Sequence, residues 1–244
     1  MARSFNGNAD ELISSPIAIP VAATMAIWVK PITLPSGYQT VCGYGGANDY
    51  FVIHLKSTGN AAYYCFSVTG GIHVDPGTAT YTLNAWTHTA ITYDSINNLL
   101  TYANGISDGT NNLGFGNLGQ ADSPLGAALG YDTTTPGRHL NGVMADFGYW
   151  NTALTVAEIR ALANGARPGN IRPQNLLCWQ PLDGLQSPEP DLSGKKNNGT
   201  LTGTTAAFGP PLMQFTPRWP QFTAPVAAVV TPSYGFNIPM MGFP

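Results

Sequence analysis

Residues 86–105 read WTHTAITYDSINNLLTYANG, and this stretch decides the fold. Two runs rich in Thr, Ile, Leu and Tyr, residues 86–94 and 98–105, flank a short polar break around SINN. Asn and Asp tolerate left-handed backbone angles, so the break has turn chemistry. The second run stops at Asn104-Gly105, another such turn signal. The spacing predicts a β-hairpin. Working outward, short runs of Val, Ile, Thr, Tyr and Trp alternate with Gly, Asn, Asp and Pro clusters from Phe5 to Gly148. Their recurrence every ~8 to 12 residues is the mark of a sandwich or barrel. MAIWVKP (25–31), DYFVIHL (49–55) and AAYYCFSVTG (61–70) read as strands.

One segment departs from this rhythm. In TVAEIRALANG (155–165), Val156, Ile159, Leu162 and Ala163 fall at helical spacing. Thr155 and Glu158 form a Thr-x-x-Glu capping box, and Gly165 is placed to end the helix in a left-handed conformation. A single short helix is expected over about residues 156–164. Beyond it come the turn-rich connector GARPGNIRP (165–173), the strand-like NLLCWQPL (175–182) and the polar loop SPEPDLSGKKNNG (187–199).

Composition narrows the function classes. Charged residues make up 9% and hydrophobic ones 43%, so Asn, Thr, Ser, Gln and Gly must wet the surface, which favours β-structure over helical bundles. A net charge of -3 with ten scattered Lys and Arg offers no basic stripe, which argues against nucleic acid and against an electrostatic membrane anchor. The opening MARSFNGNADELI has no apolar export region, and no later stretch approaches the ~20 apolar residues of a membrane helix. The chain is therefore expected to be made in the cytoplasm. Cys42, Cys65 and Cys178 lack CxxC spacing and read as buried free thiols, with one disulfide as the alternative.

Together these segments resemble the laminin-G-like, concanavalin A-like jelly-roll family of lectin and glucanase relatives. SFNGNADELIS is similar to its opening Phe-x-Gly-x-x-Asp motif through Phe5, Gly7 and Asp10, and MAIWVKP to its Trp-Val-Lys-Pro strand. The hairpin matches through Trp86, His88, Ala90, Tyr93, Asn104 and Gly105. LNGVMADFGYWNTALTVAEIRAL matches a strand-then-helix motif through Asn141, Gly142, Asp146, Tyr149, Leu154, Glu158 and Ile159. The family's Trp-x-x-Asp and Asp-x-Ser-Gly segment, usually placed before the Phe-x-Gly strand, here follows the helix. The resemblance thus implies an all-β antiparallel jelly-roll sandwich over residues 1–208. Residues 175–202 would close it from the C-terminal side, as in a permuted chain.

That architecture hosts binding, structural and catalytic members. A retaining glucanase needs two carboxylates about 5 Å apart. The only glutamates are Glu11, Glu158 and Glu189, and the Glu-x-Asp-x-x-Glu strand signature is missing. No enzyme is expected. His54, His73, His88 and His139 show no metal spacing. The resemblance implies calcium as a candidate cofactor, with Asp10 and Asp146 in matched motifs and Asn8 and Asp132 in adjoining loops. Tyr38, Tyr44, Tyr50 and Tyr131, in or beside Gly-, Asn- and Thr-rich loops, are the aromatic candidates for stacking on a cell-surface glycan.

Residues 209–244 are different in kind: eight prolines, one charge (Arg218), and the anchors Trp219, Phe222, Tyr234, Phe236, Ile238, Met240, Met241 and Phe243. Proline stiffens such a tail and removes backbone donors. An apolar strap of this kind has to be buried in the functional state. By analogy with virion proteins of tailed phages, the chain is expected to be a non-catalytic capsid-decoration or fibre-type subunit at the virion surface. The tail would fasten it to neighbouring subunits in a homo-oligomer. A carbohydrate-binding adhesion lectin is the alternative, and a glycan-degrading enzyme the second.

Overall fold

The computed structural model describes residues 1–17, 20–45, 50–59, 61–66, 72–74, 78–94, 98–112, 126–129 and 138–211. Its strands are β1 (Ala2–Asn6), β2 (Glu11–Pro16), β3 (Ala23–Pro31), β4 (Tyr38–Gly45), β5 (Tyr50–Lys56), β6 (Ala61–Phe66), β7 (Ile72–Val74), β8 (Thr87–Tyr93), β9 (Asn98–Ala103), β10 (Ile106–Asn112), β11 (Gly126–Leu129), β12 (Asn141–Trp150), β13 (Leu176–Gln180), β14 (Gly199–Thr202) and β15 (Thr205–Ala207). One sheet runs β10-β9-β8-β3-β12-β1-β15, with β13 also on β12, and the other β14-β2-β11-β4-β5-β6-β7. Neighbours pair antiparallel, as in a jelly-roll sandwich.

The period of two in a strand builds the core. In β3, Met25, Ile27 and Val29 are buried between the sheets with Phe51, Ile53 and Leu55 of β5 and Ile91 and Tyr93 of β8. The alternate residue Ala26 points the other way and, with Ala90 and Tyr102, forms a floor for α1 (Val156–Ala163), the one α-helix among the described residues. Small side chains let the helix approach closely, and Ile159 and Leu162 are buried there. The capping box is present: the Thr155 side chain accepts from the Glu158 N–H, and Glu158 Oε2 accepts from the Thr155 N–H at 2.7 Å. The Asn104-Gly105 turn tucks under this helix. Gly105 has φ +77, and a Cβ there would stand 3.0 Å from Arg160 Cα, so the position requires glycine on both counts.

β12 is the central beam. One edge pairs with β3, while the other edge is shared. β1 takes residues 141–144 and β13 takes residues 147–150. Asp146 lies at the handover with φ +56, and its N–H donates to the Pro181 carbonyl at 3.0 Å. The chain after α1 therefore completes both sheets: β13 on β12, β14 on β2 and β15 on β1. Asp191 ties this closing segment together. Its Oδ1 accepts from the N–H groups of Trp179 and Ser193, and its Oδ2 from the Asn197 N–H and the Ser193 hydroxyl, all at 2.8–2.9 Å. Cys42 and Cys178 are buried free thiols, and burial pushes both thiols up, out of the range where a thiolate forms.

Candidate functional site

Two of the three glutamates, Glu158 and Glu189, have structural occupations. Glu189 is fully buried and receives Arg3 at 2.6 Å through Nη2 and 3.1 Å through Nε. Burial pushes the Glu189 carboxyl up, against the pull of Arg3. Glu158 is held by the capping box and by the Arg172 guanidinium at 2.5 Å. Glu189 sits in the closing segment and Glu158 on α1, each paired with an arginine.

Among the described residues, the calcium candidates lie apart in two groups. Asp10 is buried and its Oδ2 accepts from the Asn6 N–H at 2.9 Å, while Asn8 is exposed and donates its own N–H to Asn6 Oδ1. These contacts tie a turn. Asp146 Oδ1 accepts from Arg167 Nη1 at 3.0 Å and Trp179 Nε1 at 2.8 Å. Burial raises its carboxyl, with Arg167 and Trp179 opposing. The register sets Asn6 beside Asn141, five residues along β12 from Asp146, or roughly 16 Å at ~3.3 Å per residue. Asp132 lies outside the described residues. Among the described residues no group of three His, Cys, Asp or Glu could hold a metal ion.

The aromatic candidates sort differently. Tyr44 is a core residue, 1% exposed, stacked on Tyr149 with ring centroids 4.1 Å apart. That corrects its assignment as a glycan candidate: the loop-like GYGG sequence after Cys42 begins as strand β4, whose inward positions are buried. Tyr131 and the tail anchors Trp219, Phe222, Tyr234, Phe236, Ile238, Met240, Met241 and Phe243 lie outside the described residues. So does the side chain of Tyr50.

Tyr38 remains. The β4–β5 register pairs Tyr38 with Lys56 and Thr40 with His54, then slips by one residue before Cys42 meets Ile53. Ile53 and Leu55 face the core, so Tyr38, Thr40, His54 and Lys56 share the outer face of the seven-stranded sheet. Thr40 Oγ1 and His54 Nδ1 form a buried hydrogen bond of 3.0 Å. The His54 ring is tilted against the half-buried Tyr38 at 5.9 Å. Arg138 closes the group from a distant part of the chain. Its carbonyl accepts from the Thr40 N–H at 2.8 Å, and its guanidinium lies over the Tyr38 ring at 5.2 Å. The result is an aromatic ring on a buried polar base, with the Arg138 guanidinium over it. Sequence reading singled out Tyr38, noted His54 only for its lack of metal spacing, and missed Thr40, Lys56 and Arg138. Cross-strand pairing is not visible in local sequence, and no motif marks Arg138.

Comparison with known proteins agrees with this architecture. Among curated proteins none matches the chain. A candidate carbohydrate-binding protein from Bacteroides ovatus superposes with a TM-score of 0.67 at 19% identity, over 87% of this chain and 61% of its own. This chain therefore spans less than two thirds of that relative's length. Domain 4 of a GH43 extracellular arabinanase from Geobacillus stearothermophilus, solved with arabinotriose, superposes with a TM-score of 0.55 at 22% identity, over 66% of this chain and 76% of its own. A heptameric SAP-like pentraxin from Limulus polyphemus gives 0.54 at 19%, over 68% and 84%. At such identities the likeness concerns the fold. The sequence pattern of one family covers residues 6–160, well over half of the chain, and the motifs found in the sequence occupy the strands and helix just described. The chain belongs to the concanavalin A-like lectin/glucanases superfamily.

Proposed function

We propose that the chain is a non-catalytic glycan-recognition domain, carried at the surface of a virion-type assembly by its C-terminal tail. The observation that carries the first half is the Tyr38 ring, half-buried on the outer sheet face over the Thr40–His54 pair. An aromatic face with a few fixed polar groups is the usual chemistry of a saccharide site. The arabinanase domain solved with arabinotriose supports the same reading. The internal ties of Glu158 and Glu189 support a non-catalytic role.

The second half rests on sequence and position. Gly209 lies against Met1, beside the Ala2 end of β1 where β15 pairs. Arg138 lies beyond the other end, three residues before the Asn141 that pairs with Asn6. Thus residues 208–211 leave from one end of β1 and the Tyr38 group sits past the other. Phe208 is 89% exposed there. The proposed partners are copies of this chain and other assembly subunits, held through Trp219, Phe222, Tyr234, Phe236, Ile238, Met240, Met241 and Phe243.

A glycan array tests the first half. Selective binding that Tyr38→Ala abolishes, without change in thermal melting, is the expected result. An array empty for the wild-type chain refutes it. Removing residues 209–244 tests the second: the truncated chain should run as a folded monomer by light scattering, and persistence of the full-length oligomer refutes the assembly role.

A further inference from the structure

One end of the sandwich carries an apolar surface that glycan recognition leaves unused. Ile32, Leu34 and Leu83 are 38%, 39% and 41% exposed, and backbone contacts bring their segments together. The Asn84 N–H donates to the Pro31 carbonyl at 2.8 Å, so Leu83 and Ile32 flank one hydrogen bond. The Tyr81 N–H donates to the Gly59 carbonyl at 2.8 Å, and Leu34 Cδ1 reaches the same glycine, 3.8 Å from where a Cβ would stand. Residues 81–84 therefore run between the two loops, held down by the buried Tyr81 side chain. Trp86 follows, half-buried, with Lys30 Nζ 5.4 Å from its ring centroid.

Three properties suit this end to lipid rather than to a protein partner. Much of its backbone is paired internally: the N–H groups of Ile32, Tyr81, Asn84 and Ala85 donate to the carbonyls of Asn141, Gly59, Pro31 and Thr82. Loops tied in this way lose little on entering a medium poor in hydrogen bonds. Residues 32–37, 57–59, 78–86 and 138–141 contain no Asp or Glu, so these loops have no carboxylate to desolvate. Asp108 and Asp10, which adjoin them, are bonded to backbone: Asp108 Oδ1 accepts from the Thr78 and Ala79 N–H groups, and Asp10 Oδ2 from the Asn6 N–H. Finally, an indole with an ammonium over it suits the headgroup level of a bilayer. The ring lies among acyl carbons there while the lysine stem carries its charge back to water.

We propose that this end of the sandwich rests on the interfacial zone of a lipid bilayer, with Ile32, Leu34, Leu83 and Trp86 as the inserted side chains. The contact is apolar, in keeping with a net charge of -3, and differs from an electrostatic anchor. It lies at the Asn6 end of β1, where Asn141 pairs with Asn6 and accepts from the Ile32 N–H, opposite the end from which residues 208–211 leave. In the assembly reading above that end faces outward, and the lipid contact stands without it. The test adds the full chain to vesicles of phosphatidylcholine, alone and with phosphatidylglycerol, and follows co-sedimentation and the quenching of tryptophan by lipids brominated along the acyl chain. The wild type should sediment with both vesicles and keep most of that binding at high salt, because apolar burial is not screened. Trp86→Phe should remove part of the quenching. The double variant Leu34→Ser, Leu83→Ser should weaken partition about tenfold or more.

No sedimentation with either vesicle overturns the proposal and leaves glycan recognition, tested on lipid-free saccharides, standing. Binding confined to the anionic vesicle and lost in salt overturns it as well. So does binding that the double variant leaves unchanged, which would place the lipid contact elsewhere in the chain. A dimer that the double variant dissolves, with no vesicle binding, would assign the patch to a second copy and overturn the lipid assignment. Should the double variant not fold, the comparison of wild type with Trp86→Phe decides the question, and equal quenching in the two refutes the proposal.

Discussion

Acid should destabilise this domain through His88, and the size of the effect follows from its burial. The side chain is 2% exposed, its Nδ1 has no hydrogen-bond partner among the described residues, and the Trp28 ring meets it edge-on at 5.3 Å. Desolvation lowers the imidazole from 6.5 to about 3. The unfolded chain binds a proton near pH 6.5 and the folded one does not until about pH 3, so stability contributed by the neutral ring is complete above pH 6.5 and is lost as pH falls through that window. Between pH 8 and pH 5 the loss is about 2 kcal/mol, reaching ~4 kcal/mol by pH 3. Glu189 and Asp146 act in the opposite sense. Their raised carboxyls favour the fold most below the ordinary carboxylate range, and that advantage fades as pH rises through their folded values. A variant comparison cancels them. Urea unfolding followed by tryptophan fluorescence at pH 8, 7, 6 and 5, for the wild type and His88→Gln, isolates the histidine. The wild-type curve should fall by about 2 kcal/mol relative to the variant across that range. Parallel curves would refute the argument, since they would mean that His88 titrates in the fold as it does in water.

Further outcomes follow from the same structure. Asp191→Ala removes four hydrogen bonds to one carboxylate and strands three backbone N–H groups. It should cost about 3 to 5 kcal/mol, a thermal shift of roughly 8 to 15 °C in a domain of this size, readable by calorimetry. Gly105→Ala places a Cβ 3.0 Å from Arg160 Cα at φ +77. A loss of about 1 to 3 kcal/mol in chemical denaturation is expected. Tyr44→Ala, despite its polar hydroxyl, should behave as a core deletion. It should lose about 3 to 5 kcal/mol through its stack on Tyr149 and leave saccharide affinity of the folded fraction unchanged.

Much of the fold was legible because its signals are local. The Thr155 capping box, the Asn104-Gly105 turn and the alternation of Met25, Ile27 and Val29 with Ala26 each act within a few residues, and each appears in place. The candidate site was legible only in part. Tyr38 and Tyr44 sit six residues apart in similar Gly-rich sequence, yet one lies on the outer face and the other in the core. A one-residue slip in the β4–β5 register between Thr40 and Cys42 sets which residues of β4 face inward, and a single-residue shift reverses the face of every later side chain. Asp146 likewise looked like a ligand, because a motif carboxylate does not reveal its partners. Arg167 and Trp179 reach it from beyond the helix.

By itself the sequence determined the class of structure: alternating β-runs, one capped helix, and motifs in family order that recur on a single architecture. These are properties of neighbouring residues, set by backbone sterics and by a period of two or 3.6. Only the tertiary structure decided what the polar and aromatic side chains do. Burial and charge partners come from strands far apart in the chain, and they set which carboxylates are structural. That is why Asp191 and Glu189 are buried ties, Tyr44 is core, and Tyr38 meets Arg138 across a hundred residues of sequence.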